Sequence, residues 1–150
     1  MIVPAEITDA KQLTKIALQS KAFWGYSDEL IANWKDDLTV TLKMIRKCNV
    51  FKFFVDDSIA GFYVLNPPME DAIELEMLFV LPKFIGKGVG NQLITHAFQK
   101  AKELKVATMT LLADPNAVPF YQKKGFYEID KKESTIPNRF LPVMKKSFCL

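Results

Sequence analysis

The segment Val80-Leu81-Pro82-Lys83-Phe84-Ile85-Gly86-Lys87-Gly88-Val89-Gly90-Asn91-Gln92-Leu93 runs from an apolar stretch through a glycine-rich loop into a helical pattern. Glycines let a backbone turn several N–H groups toward one point without Cβ obstruction. A helix N-terminus adds roughly half a positive charge. Together they make an anion site suited to a phosphate or pyrophosphate, and Lys83 and Lys87 add Coulomb attraction. The bland alternative is a tight turn between strand and helix. Two common nucleotide loops are excluded. There is no Gly-x-x-x-x-Gly-Lys-Ser/Thr, and Gly86-Lys87-Gly88-Val89-Gly90 is not Gly-x-Gly-x-x-Gly.

The other chemistry-bearing residues are sparse. Glu74 and Glu76 lie on the strand-like stretch Ile73 to Val80, where a period of two puts both on one face. They are either working carboxylates or the polar face of a half-solvated strand. Phe23-Trp24-Gly25-Tyr26 is an aromatic turn, able to line a pocket or stack on a cation. Trp34 falls on a helical stripe and is read as core. Arg139, in the late loop Ser134 to Arg139, is either a partner for a carboxylate or a solvated charge. His96, the only histidine, sits inside a helix and is read as a surface residue. Cys48 and Cys149 have no nearby Cys or His, so a zinc site and a disulfide framework are both excluded, and Cys149 is expected to be exposed. The pairs Lys123-Lys124 and Lys131-Lys132 are read as solvated charges.

Alternating strand and helix patterns position these groups and argue for an α/β or α+β class. A first helix starts after Thr8 or Asp9, with Asp9 and Gln12 as a capping box and Leu13, Ile16, Ala17 and Ser20 on one face. A second begins at the cap Ser27 and continues through Leu30, Ile31 and Trp34. Val50 to Val55 and Ile59 to Leu65 form a hairpin around Asp56-Asp57-Ser58. Ala72 to Leu81 is a strand stopped by Pro82. A helix over Asn91 to Lys105, a strand over Val106 to Ala113 and a helix over Ala117 to Lys124 follow, the last ended by Gly125. Phe126 to Ile129 and Leu141 to Phe148 read as closing strands.

The chain has 150 residues, 49% hydrophobic and 25% charged, which suits one globular domain spanning 1–150 and excludes disorder or coiled coil. The net charge of +3 is too mild to argue for nucleic acid but suits a polyanionic small ligand. No apolar run approaches the roughly 18 residues of a membrane span, and the first residues lack the order of a signal peptide. A cytoplasmic protein with no membrane partner is expected.

The loop and a second segment together resemble the GNAT acyltransferase superfamily. Its cofactor loop, Gln/Arg-x-x-Gly-x-Gly/Ala, maps to Ile85-Gly86-Lys87-Gly88-Val89-Gly90, with Ile85 in the Arg/Gln position. Asp114-Pro115-Asn116-Ala117-Val118-Pro119-Phe120-Tyr121-Gln122-Lys123-Lys124-Gly125-Phe126 is similar to Asn-x-x-Ala-x-x-Phe-Tyr-x-x-x-Gly-Phe, with Asp114 where Asn is common. The resemblance is strong from Ile73 to Phe126. It implies a central, mixed, mostly antiparallel sheet flanked by helices, and acyl transfer from acetyl-CoA to an amine without a metal.

In that reading the pyrophosphate sits on Ile85 to Gly90, with Asn91, Asn116, Phe120 and Tyr121 also against the cofactor. Its pantetheine arm enters a gap where the strands ending near Leu81 and Ala113 splay apart. Glu76, with Glu74 as alternate, deprotonates the amine directly or through water. The N–H of Val80 or Leu81 faces the carbonyl oxygen as it turns negative, and Tyr121 protonates the leaving thiolate. Helix spacing turns Phe120 toward the core and Tyr121 toward the cleft. Trp24, Tyr26 and Arg139 fall where the acceptor, expected to be a small molecule, would bind. Monomer and homodimer stay open. Two rival readings are a non-catalytic acyl-CoA sensor of the same fold and a nucleotide-phosphate binder of another class.

Overall fold

In the computed structural model, which describes residues 1–134, 136 and 139–148, seven strands form one sheet in the order β1-β2-β3-β4-β5-β7-β6. The strands are β1 (Ile2–Pro4), β2 (Asn49–Val55), β3 (Ser58–Leu65), β4 (Ala72–Val80), β5 (Thr108–Leu112), β6 (Tyr127–Glu133) and β7 (Phe140–Ser147). Every neighbouring pair is antiparallel except β4 and β5. This is the mixed, mostly antiparallel sheet that the family resemblance implies. Cys149 lies outside the described residues.

Helices cover both faces. α1 (Ala10–Phe23) buries Leu13, Ile16, Ala17 and Ser20, spaced i, i+3, i+4 and i+7. Leu13, Ile16 and Ala17 form one core layer with Phe62, Val64 and Met77. α5 (Val89–Glu103) buries Val89, Leu93, Ile94, Ala97 and Ala101 on the opposite face. These pack with Tyr63, Met109 and Met144 into the second layer. α2 (Asp28–Asn33) is capped by Ser27, whose side chain accepts the Leu30 N–H at 3.2 Å. α3 (Lys35–Leu38) and α4 (Leu42–Lys47) link α2 to the sheet, and α6 (Val118–Lys123) follows β5. No helix among the described residues is long and apolar enough to cross a membrane.

The differences from the sequence pattern have local causes. Asp9 does not cap α1 with its side chain. Its carboxylate instead accepts the Glu6 N–H at 2.7 Å and pairs with Lys52 at 2.7 Å, pinning the entry of α1 to β2. β1, α3 and α4 span three, four and six residues, too short to show a period. β6 continues past Ile129 to Glu133 because it is an exposed edge strand with no buried face to alternate. α5 begins at Val89, two residues early, because Gly88 takes a left-handed φ of 82° and accepts the Gln92 N–H at 3.1 Å. His96 is half-buried and not a free surface residue. Its Nδ1 is 2.7 Å from the hydroxyl of the buried Tyr63, which needs a partner. Burial holds the imidazole pKa below its ordinary value. The pair lies away from both cavities described below.

Candidate active site

The parallel β4–β5 pairing is brief. It joins Ala72, Ile73 and Glu74 to Thr108, Met109 and Thr110, and then stops. Beyond it β4 stays on β3 as far as Val80, while β5 stays on β7 as far as Leu112. A gap therefore opens between two strands that each keep only one partner. A cavity of about 470 Å³ lies on one side, lined by Leu78, Val80, the glycine loop, Phe120 and Tyr121. Another of about 490 Å³ lies on the other side, lined by Trp34, Asp37, Glu74, Glu133 and Arg139. Lys21, Glu76, Leu112 and Asp114 belong to the walls of both.

A bulge in β4 shapes this gap. Val64 faces Met77 and Leu65 faces Leu75, so Glu76 has no residue opposite it. The alternation flips there. Ile73 and Leu75 point into the α5 layer, whereas Met77 points into the α1 layer. Leu78 and Val80 then pack against the α5 layer, so the simple period of two holds only as far as Glu76. Glu74 and Glu76 still lie together, since the Asn66 amide donates to both at 2.8 and 3.1 Å. The Glu76 pKa is raised. Partial burial is the largest cause, Asn66 opposes it, and the charges of Glu74 and Asp37 add to it.

The bonding of β4 separates the two expected oxyanion donors. Leu81 donates its N–H to the Ala60 carbonyl at 2.8 Å, so it has no free N–H to offer. Bonded pairs alternate along an antiparallel ladder. Val80, opposite Gly61, therefore turns its N–H away from β3 and toward the gap. Leu78, opposite Tyr63, does the same. Gly61 keeps β3 and β4 close here, because a Cβ on it would lie 2.7 Å from the Phe79 oxygen.

The glycine loop is a set of open donors. Phe84, Ile85 and Lys87 spend their N–H groups on Leu81, Pro82 and Phe84 at 2.9, 3.2 and 3.2 Å. Ile85 and Lys87 therefore cannot cradle an anion through their backbones, contrary to the reading from the motif. Ile85 offers instead an apolar side chain, 40% exposed at the cavity. The N–H groups of Gly86, Gly88, Val89, Gly90 and Asn91 have no backbone acceptor among the described residues. Gly86 and Gly88 both have φ near 82°, and no atom lies within 4 Å of where their Cβ would be. Five open N–H groups at the start of α5, with space above them, fit the pyrophosphate of coenzyme A. Lys83 and Lys87 lie over the Phe84 ring at 5.2 and 5.8 Å.

Tyr121 is buried, its ring edge-on to Phe120 and Phe126 at 5.2 and 5.6 Å. Both Phe120 and Tyr121 line the cavity, so the expected division between core and cleft does not hold. Consecutive helical residues are only about 100° apart, and both flank one groove. Burial, with the charge of Asp114 added, pushes the Tyr121 hydroxyl far above its usual pKa, so it is a neutral donor. No buried polar side-chain atom among the described residues lacks a partner, and this hydroxyl, which bonds none of them, opens to the cavity.

The remaining expected residues separate. Trp24 lines the Tyr121-side cavity, while Trp34, which packs against the α1 layer as its reading as core implies, also lines the other. Tyr26 lines neither; its hydroxyl sits in an ion cluster around Asp114. Lys21 pairs with Asp114 at 2.6 Å, Arg139 approaches it at 3.4 Å, and the Asn116 N–H donates to it at 2.9 Å. Burial alone would raise the Asp114 pKa, but the Lys21 pair and these bonds outweigh it and hold the carboxyl below its ordinary range. Sequence reasoning marked Asp114 only as a departure from Asn. Lys21, Asn66 and the carboxylate of Asp37 carried no local signal.

The sequence profile of the acetyltransferase (GNAT) domain matches residues 24–147. The fold is similar to that of the PaiA N-acetyltransferase from Thermoplasma acidophilum in complex with coenzyme A. The TM-score is 0.83 with 23% identity, covering 99% of this chain and 98% of that one. It is also similar to the ribosomal-protein-S18-alanine N-acetyltransferase from Escherichia coli, with TM-score 0.76 and 20% identity over 100% and 94% of the two chains. A 45-residue stretch, 30% of this chain, is 40% identical to the uncharacterized N-acetyltransferase ycf52 of Pyropia yezoensis and spans 26% of that protein. The fold, the split between β4 and β5, the open donors before α5 and the profile match together establish that the chain belongs to the GNAT acetyltransferase family.

Proposed function

We propose that the chain transfers the acetyl group of acetyl-CoA to a primary amine, by direct attack in a ternary complex. The observation that carries this reading is the pair of cavities flanking the β4–β5 gap and sharing the wall at Glu76. Coenzyme A would lie on the side of the glycine loop and Tyr121, its amides pairing with the open edge of β4. The acceptor would enter from the side of Trp34, Asp37 and Glu74. A volume of about 490 Å³ suits a small molecule. Asp37, Glu74 and Glu76 attract an amine that arrives protonated.

An alkyl amine is neutral at pH 7 at a cost of about 4–5 kcal/mol. The ammonium releases its first proton to solvent at that cost, and Glu76 takes the second, directly or through water, as the N–C bond forms. The Val80 N–H faces the oxygen that gains charge. Tyr121 donates its proton to the sulfur as the C–S bond breaks, then recovers it from solvent. The base must be ionised, so activity is present above the Glu76 pKa and lost as pH falls through it. Because that pKa is raised, the acid limb of kcat/KM should lie above the ordinary glutamate value of about 4.3. In Glu76→Gln that limb should vanish, leaving only the pH dependence of the amine's own ionisation, and the rate fall about 100-fold. A pH–rate profile with saturating acetyl-CoA and a panel of primary amines tests this. A limb unchanged in the variant would remove Glu76 from the mechanism, and no turnover with any amine would favour a binding role.

A further inference from the structure

The Tyr26 hydroxyl joins three chain segments. It donates to the Asp114 carboxylate, lying 3.0 and 3.1 Å from its oxygens. It accepts from the Asn116 amide at 3.1 Å and from the Arg139 guanidinium. The guanidinium also stacks 4.9 Å from the centre of the Tyr26 ring. The other edge of Tyr26 meets Trp34, centroid to centroid at 4.9 Å. Arg139 and Trp34 are walls of the Glu74-side cavity, and Tyr26 stands behind both.

The sequence leaves Arg139 either to pair with a carboxylate on the acceptor or to stand as a solvated charge. Here Lys21 and Arg139 share the single carboxylate of Asp114, and both cations are largely shielded, with side chains 19% and 18% exposed. Arg139 is thus engaged from within, and what it presents to the cavity is position more than free charge.

We infer that Tyr26 is a positioning residue for the acceptor: its hydroxyl bonds Arg139 and anchors the ring that backs Trp34, so that both stand as fixed walls. This rests on reading that cavity as the acceptor site. Tyr26→Phe leaves a ring of the same shape beside Trp34 but removes the oxygen that anchors it, so the ring is free to shift and uncover Trp34. Arg139→Met removes the other half of the contact. If the two act as one lock, their effects coincide and do not add.

Two readouts separate the lock from the parent reading. In a Trp24→Phe background Trp34 is the only tryptophan, and its quenching by acrylamide needs no acceptor. Quenching should rise about twofold in Tyr26→Phe, equally in Arg139→Met, and no further in the double variant. With benzylamine as probe and native Trp24, KM should rise about fivefold in each single variant and in the double, the effect of one hydrogen bond, with kcat and the acetyl-CoA Kd unchanged. Thermal melts check that each variant folds. Unchanged quenching, or single effects that multiply in the double variant, would overturn the lock. A wild-type protein that acetylates no amine would overturn the parent reading alone, with quenching still deciding the lock.

Discussion

Tyr121→Phe should lower kcat about 100-fold while changing the acetyl-CoA Kd by less than about twofold, the pattern of a lost proton donor. The ring is held on two edges by Phe120 and Phe126, so phenylalanine fills the same space. The hydroxyl supports no other described residue, so its removal orphans nothing. What disappears is a neutral proton donor facing the cavity, kept neutral by burial and by the charge of Asp114. An alkyl thiolate of pKa near 8.5 leaves poorly without a proton or a hydrogen bond at about pH 7. Steady-state kinetics beside calorimetry measures both quantities. A fall in affinity with kcat preserved would make Tyr121 a binding residue, and no change in either would remove it from the site.

Gly88→Val should weaken acetyl-CoA about 100-fold, or roughly 2.7 kcal/mol. Two effects combine. Gly88 sits at φ 82°, where a side chain costs about 1–2 kcal/mol and a β-branched one is worst placed. Its Cβ would project into the open space above five unengaged N–H groups, where a phosphate belongs. Each charged hydrogen bond lost there is worth about 1.5–3 kcal/mol. The fold should survive, because no atom lies within 4 Å of that Cβ. A Kd within a few-fold of wild type in a folded variant would show that the anion binds elsewhere.

How much of this was legible in the sequence depends on how local each feature is. The glycine loop, the start of α5 and the Tyr121 segment are contiguous, and composition together with the family resemblance marks them. The alternation in β4 was legible up to Glu76 and misleading beyond it. The bulge depends on how β3 lies against β4, and no residue on β4 announces it. Backbone bonding was likewise invisible, so Leu81, Ile85 and Lys87 looked available until their N–H groups were found engaged. The least legible feature is the Asp114 cluster. It brings Lys21 and Tyr26 to Asp114 across 93 and 88 residues of chain. Such a cluster shows in sequence only as isolated charges. The same holds for the acceptor side, where Trp34 packs against the α1 layer as its helical stripe implies but also faces the cavity, which the stripe does not show.

Isothermal titration of the protein with acetyl-CoA, and with ATP as control, tests the central assignment most directly. The open donors at Gly86 to Asn91 and the unpaired edge at Leu78 and Val80 predict a single site for acetyl-CoA in the micromolar range, about −8 kcal/mol, with ATP far weaker because it lacks the pantetheine arm. No heat at millimolar acetyl-CoA, or equal affinity for ATP, would contradict the assignment of the loop and the gap as one acetyl-CoA site.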